Sequence, residues 1–181
     1  ITYHYPKQDG LYYTVVRSPL AGPSISPDAI AAHRWPNCGD PRRIEGLREL
    51  ALQYRAQGYA VSLKGVLAGI FEMAQRLRGT EDFMVDLLAE RASAEALLDK
   101  MVECKLAFWE TALPRLADVV DVVSEADDYG TQISQLISPR LFREVMKPRL
   151  KTVFDRIHHL APHTKLFFHS CGSIRDILPD L

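Results

Sequence analysis

The sequence predicts an α/β fold in which parallel strands alternate with helices, wound as part of a (β/α) barrel or as an open parallel sheet. Three observations carry that expectation. Short apolar runs alternate with helix-patterned stretches along the chain. One run, residues 119–125, has Val119, Val120, Val122 and Val123 crowding both faces, as in a parallel strand covered on both sides. Ser-Pro, Asp-Pro and glycine signals stand where the intervening helices would begin and end.

Residues 11–16 read as a first strand or a hairpin arm. Ser26-Pro27 supplies the N-cap and first position of a short helix, and Asp40-Pro41 opens a longer one over about 41–57. That helix places Ile44, Leu47, Leu50, Ala51 and Tyr54 on one stripe, and Gly58 ends it. A strand over 59–66 follows, then a helix over 69–78 closed by Gly79, and another over 81–90. A long helix over 93–113 lines up Leu97, Leu98, Met101, Cys104, Phe108 and Ala112. After the valine-rich strand, Ser138-Pro139 caps a helix of about twenty residues, which Pro148 should kink because it lacks a backbone donor. Lys165–His169 is the last strand, and Ser173 begins a further helix. Roughly four strands result, too few to close an eight-stranded barrel.

The 181 residues are enough for one domain with a real core, and a single partial barrel domain is expected. A net charge of −1 and the lack of a basic cluster interleaved with aromatics argue against nucleic-acid binding. No apolar run is long enough to span a bilayer, so no membrane role is expected. The first residues, Ile1-Thr2-Tyr3-His4-Tyr5, resemble no targeting peptide and lack Met, which suggests a start inside a gene. Three widely spaced cysteines do not form a disulfide framework and point to a reducing, cytoplasmic setting. Cys104 reads as a core thiol on its apolar stripe, and Cys38 has no ligand partner nearby in sequence.

Three stretches can carry chemistry. A strand ends in His169-Ser170-Cys171-Gly172, and in extended backbone residues i and i+2 point the same way. His169 and Cys171 are therefore candidate zinc ligands at the carboxyl end of a strand, where active sites of parallel α/β folds collect. The bland alternative is a hydrogen-bonded histidine beside a small thiol. The second stretch, Ser124-Glu125-Ala126-Asp127-Asp128-Tyr129-Gly130-Thr131-Gln132, brings three carboxylates close together after another strand. They repel unless paired, bonded or metal-bound, which makes Asp127 and Asp128 candidate catalytic groups, with Tyr129 and Gln132 as substrate contacts. Alternatively Asp128 only caps a turn that Gly130 permits. In the third, Gly65 and Gly69 let backbone approach closely, with Phe71 a substrate contact and Glu72 a catalytic candidate at the next helix start. A glutamate early in a helix is also favoured by the helix dipole alone.

The run from His169 through Asp180 resembles the uroporphyrinogen decarboxylase superfamily. The likeness extends to Asp127–Gln132, Ile137-Ser138-Pro139, Lys147-Pro148-Arg149 and Gly69-Ile70-Phe71-Glu72, and touches Arg17-Ser18-Pro19-Leu20 and Arg34-Trp35-Pro36. The resemblance implies a partial (β/α)₈ TIM barrel, truncated at both ends, with its site at the carboxyl-end mouth. It lies nearest the cobalamin-dependent methyltransferase branch, which binds zinc through a His-x-Cys pair and a later cysteine. His169 and Cys171 match the pair, and no cysteine follows Cys171. Gln75 stands where the decarboxylases carry a tyrosine for substrate carboxylates.

The resemblance thus implies zinc-assisted methyl transfer from a corrinoid to a thiol, with a small-molecule thiol or a corrinoid protein as partner. The alternatives are cofactor-independent uroporphyrinogen decarboxylation in porphyrin and heme biosynthesis, and a non-catalytic barrel that binds a tetrapyrrole or a partner. An incomplete barrel would also self-associate through its exposed edge.

Overall fold

Small polar residues paired with proline set several helix starts in this chain, and glycines in the left-handed region set stops. The computed structural model describes residues 1–5 and 12–181. In chain order it runs through β1 (Thr2–His4), β2 (Thr14–Arg17), α1 (Pro27–Ala32), a 3-10 turn (Pro41–Ile44), α2 (Leu47–Ala56) and β3 (Ser62–Lys64). Then come α3 (Ile70–Arg78), α4 (Thr80–Ala89), α5 (Arg91–Leu116) and β4 (Val122–Ala126). The rest is α6 (Pro139–Leu141), a π-helical segment (Phe142–Met146), α7 (Lys147–Leu160), β5 (Lys165–His169) and a 3-10 turn (Arg175–Asp180). The chain divides into two compact units, one of Ile1–Arg34 with Ile70–Met101, the other of Trp35–Gly69 with Val102–Leu181. None of the described helices is long and apolar enough to cross a membrane.

In the first unit β1 and β2 form an antiparallel pair, with Tyr3 opposite Val15 and His4 opposite Thr14. The hairpin arm expected over 11–16 begins at Thr14, and Leu11 lies outside the described residues. Ser26 caps α1 as expected, its Oγ accepting from the Ala29 amide at 3.1 Å. Gly79 takes φ +97 and ends α3. The core holds Ile70, Phe71, Ala74, Phe83, Leu87, Leu97, Leu98 and Met101. A buried cation also organises this unit. The Arg78 side chain is 1% exposed, and its Nε donates to Asp86 Oδ2 at 2.6 Å. The same guanidinium donates to the carbonyls of Leu20 and Gly22 at 2.9 and 2.6 Å, which ties the loop after β2 to α3 and α4.

In the second unit β3, β4 and β5 form one parallel sheet in the order β3-β4-β5. This is the parallel arrangement expected for the three strands, although β3 is shorter than 59–66 and β4 starts at Val122 rather than Val119. Among the described residues this sheet has three strands and closes no barrel. The register aligns Leu63, Val123 and Leu166, and aligns Glu125 with Phe168. Alternation puts these side chains on one face. Helices cover that face: Phe154 of α7 meets Phe168 edge-on at 5.3 Å, and Trp109 of α5 donates to Glu125. The other face carries Ser62, Lys64, Ser124, Ala126, Phe167 and His169, of which Phe167 is 55% exposed.

Three expectations are corrected. The helix expected over 41–57 is broken, because Gly46 takes φ +73 and separates the 3-10 turn from α2. Its stripe is only partly covered: Ile44 and Ala51 are buried, while Leu50 and Tyr54 remain exposed. The twenty-residue helix is interrupted by the π segment, which lies just before Pro148, where one backbone donor is missing. Beyond β5 the chain forms a 3-10 turn that starts at Arg175 rather than a helix from Ser173.

Replacing Arg78 with alanine strands the Asp86 carboxylate, 6% exposed, without its partner. Equilibrium urea unfolding should show a loss of about 3–5 kcal/mol, while the isolated surface pair Lys151–Asp155 should contribute under about 1 kcal/mol in the same assay.

Candidate functional site

The second unit places three loops after its three parallel strands. The ladder between β4 and β5 runs one residue past β4, where the Asp127 amide donates to the His169 carbonyl at 2.9 Å. That bond sets the ends of the two strands level. The Asp127 side chain turns inward and is 1% exposed. Its Oδ2 accepts from the Tyr129 hydroxyl at 2.7 Å. Gly69 makes this possible, since a Cβ there would lie 1.8 Å from Asp127 Oδ1.

Tyr129 is fully buried, with its ring edge-on to Phe142 at 5.1 Å. Burial raises its phenol well above the ordinary value, and the charge of Asp127 and the hydrogen bond to it push the same way. Tyr129 therefore stays a neutral donor to Asp127 at physiological pH. Its amide donates to Ser170 Oγ at 3.0 Å, which joins the loop after β4 to the loop after β5.

Two glycines bring those loops into backbone contact. Gly172 takes φ +77, and a Cβ on it would lie 2.4 Å from the Gly130 carbonyl carbon. A Cβ on Gly130 would lie 2.6 Å from the Ser173 nitrogen. The Ser173 amide donates to the Thr131 carbonyl at 2.7 Å across this contact.

The contact brings three side chains together. Asp128 Oδ1 accepts from the Cys171 amide at 2.8 Å and lies 3.9 Å from His169 Nε2. His169 Nε2 is 3.3 Å from Cys171 Sγ. One ligand atom from each of Asp128, His169 and Cys171 lies within 4.8 Å of the other two. The group opens to solvent, with the His169 and Asp128 side chains 51% and 34% exposed. An imidazole, a thiol and a carboxylate so arranged can share a cation, exchange a proton, or present the thiol as a nucleophile.

The His169–Cys171 convergence read from strand alternation is present. The three clustered carboxylates are separated, however. Glu125 points to the helix-covered face, where Lys105 and Trp109 Nε1 donate to its carboxylate, the latter at 2.6 Å. Asp127 is buried against Tyr129, and Asp128 alone joins His169 and Cys171. Gln132 is exposed in a turn held by Thr131 Oγ1, which accepts from the Ile133 and Ser134 amides at 3.3 and 3.1 Å. Phe71 and Glu72 belong to the first unit. Phe71 is wholly buried with its ring edge-on to Phe83, and Glu72 pairs with Arg76 one helical turn on.

Sequence reasoning missed Ser170 and the Lys105–Glu125–Trp109 network. A lone glutamate in a valine-rich strand signals that a cation must be supplied, and Lys105 interrupts the apolar stripe of α5. Nothing local marked Ser170.

A sequence model of the family described as uroporphyrinogen decarboxylase (URO-D) matches residues 14–181. The search of curated proteins returned no match. Among solved structures, a methyltransferase from Methanosarcina mazei is similar, with a TM-score of 0.57 and 22% sequence identity. The likeness covers 76% of this chain and 38% of that one, so the chain spans well under half the length of that protein.

Removing the Tyr129 hydroxyl should leave the buried Asp127 carboxylate without that donor. Denaturant unfolding of Tyr129→Phe is expected to show a loss of about 1–3 kcal/mol. Serine at the exposed Gln132 should stay within about 0.5 kcal/mol of the parent.

Proposed function

The chain belongs to the uroporphyrinogen decarboxylase family, and on that premise we propose that it forms part of a zinc-assisted enzyme that transfers a methyl group from a corrinoid to a thiol. The observation that carries this reading is the solvent-open group of Asp128, His169 and Cys171 at the carboxyl ends of β4 and β5. The donors suit zinc. An imidazole nitrogen and a thiolate sulfur at ordinary zinc bond lengths in a tetrahedron stand about 3.5 Å apart, and here they stand at 3.3 Å. Three protein donors with one open face make a catalytic rather than a structural ligand set. Asp128 offers the third donor that the superfamily resemblance assigns to a later cysteine.

Zinc at these residues would keep a coordinated substrate thiol deprotonated, and so nucleophilic, at neutral pH. The chain's own groups then have separable tasks. His169 and Cys171 bind, while Asp128 either binds through an oxygen or receives the proton that the thiol gives up. The Cys171 amide orients the Asp128 carboxylate. The buried Asp127–Tyr129 pair and the Gly130–Gly172 contact hold both loops in place without touching the reacting atoms.

The strand order supports a wider fold reading. Consecutive parallel strands lying side by side with helices between them are the winding of a (β/α)₈ barrel, whereas a doubly wound sheet reverses its strand order. In that reading the sheet face carrying Ser124, Phe167 and His169 is the inner surface of a barrel arc. The outer edges of β3 and β5, which carry no further strand among the described residues, would then pair with added strands or with a second copy.

Zinc titration tests the function. The protein should take up one zinc ion, with affinity falling as acid protonates the ligands. His169→Ala and Cys171→Ser should each weaken binding by about 100-fold or more, and Asp128→Ala by at least about tenfold. Absence of stoichiometric zinc, or a Cys171→Ser protein that binds as tightly as the parent, would sink the methyltransferase reading and move cofactor-independent decarboxylation ahead of it.

A further inference from the structure

We propose that Cys38 and Cys104 are a modification site, oxidised by a hydroperoxide to a disulfide within the second unit and separate from the Asp128–His169–Cys171 group. Cys38 lies in the loop before the 3-10 turn, and Cys104 lies on α5. The two thiols share a hydrogen bond. Backbone packing holds them together independently of that bond. Thr111 Oγ1 donates to the Gly39 carbonyl at 2.9 Å, and a Cβ on Gly39 would come within 2.9 Å of the Ala107 carbonyl oxygen. Cys104, Ala107 and Thr111 follow at helical spacings of three and four, so one face of α5 receives Cys38 and Gly39 together. Arg43 Nε donates to the Asn37 carbonyl at 3.0 Å and pins the loop from its other end. Both thiols are buried, Cys38 at 4% and Cys104 at 6% exposure.

The surroundings favour oxidation over metal binding. The Cys104 hydrogen bond, with smaller help from the charges of Arg43 and Lys105, brings the Cys38 thiol down to about 7 although burial opposes it. A good fraction of Cys38 is therefore thiolate at neutral pH. The cations of Arg43 and Lys105 hold an anionic sulfur but repel a metal ion. Lys105 is itself held by Glu125 and the Val66 carbonyl, so its charge stays in place.

The chemistry closes with one hydroperoxide. The Cys38 thiolate attacks a peroxide oxygen, an S–O bond forms, the O–O bond breaks, and the leaving oxygen takes up a proton. The Cys104 sulfur then displaces hydroxide from the Cys38 sulfenic acid, and the Cys104 proton leaves with that hydroxide as water. Two thiols lose two electrons and two protons, and hydrogen peroxide, which takes up both, becomes two molecules of water.

The test uses Cys171→Ser protein, in which Cys38 and Cys104 are the remaining cysteines. After hydrogen peroxide treatment under native conditions, free thiols are blocked and unreduced peptides are mapped by mass spectrometry. The expected product is an intramolecular link between the Cys38 and Cys104 peptides, about 2 Da lighter than the reduced chain and reversed by a dithiol. Its rate should rise with pH through about 7, where Cys38 ionises. It should also be at least about tenfold faster than in urea-unfolded protein, where the two sulfurs are no longer held together. With Cys104→Ser added, Cys38 should stop at a sulfenic acid that a carbon nucleophile traps. Two blockable thiols after native oxidation, links only between chains, or equal rates in folded and unfolded protein would each overturn the proposal.

Discussion

The contact between Gly130 and Gly172 is the constraint on which the candidate site depends. Any side chain at either position would collide with the backbone of the opposite loop. With both absent, the turns beyond β4 and β5 close to main-chain distance, and the Cys171 amide reaches Asp128. Nothing in the chemistry of Asp128, His169 and Cys171 requires them to meet, since two come from the end of β5 and the loop after it and the third lies over forty residues earlier. Their meeting follows from two strands ending level and two glycines letting their exits touch. The same logic operates one loop away, where Gly69 leaves the space that the Asp127 carboxylate occupies.

Buried charge is the second organising force. Arg78 in the first unit and Lys105 in the second are each almost wholly removed from water. A cation in that position survives only if carboxylates and carbonyls replace its hydration. Arg78 meets Asp86, Asp82 and the carbonyls of Leu20 and Gly22, which makes a loop part of the core without apolar side chains. Lys105 meets Glu125 and the Val66 carbonyl, which joins α5 to β4 and to the loop after β3. Each network ties loop backbone to a buried cation, through the carbonyls of Leu20 and Gly22 in one and of Val66 in the other.

The parallel sheet separates these roles by face. Glu125 and Val123 point to the helix-covered side and are satisfied there by packing and by Lys105 and Trp109. Ser124, Phe167 and His169 point to the other side, which stays accessible. A strand face left accessible, with Phe167 among its exposed side chains, is unusual for a parallel sheet, whose two faces are normally covered. In the barrel reading proposed above, this face would be the inner surface of an arc.

Local signals were enough to read much of the architecture. Ser26-Pro27 and Ser138-Pro139 marked helix starts, Gly58 and Gly79 marked stops, and residues 165–169 were legible as a strand to the residue. These depend on backbone geometry and period, which adjacent residues set. The His169–Cys171 convergence was legible for the same reason, since alternation along an extended chain is a local property. Asp128 as the companion of that pair was not legible, nor was the burial of Asp127 against Tyr129 and Gly69. Sequence placed Asp127 and Asp128 side by side with equal standing. Tertiary structure decided between them, because one side chain met a buried phenol and a glycine-sized space while its neighbour faced water beside another loop. The broken helix at Gly46 was missed because glycine is compatible with a helix or a left-handed turn, and only the surrounding packing selects one. Which residues share a strand or a helix face is a matter of covalent geometry, whereas which loops touch depends on where whole strands end, and that is settled only when they pair.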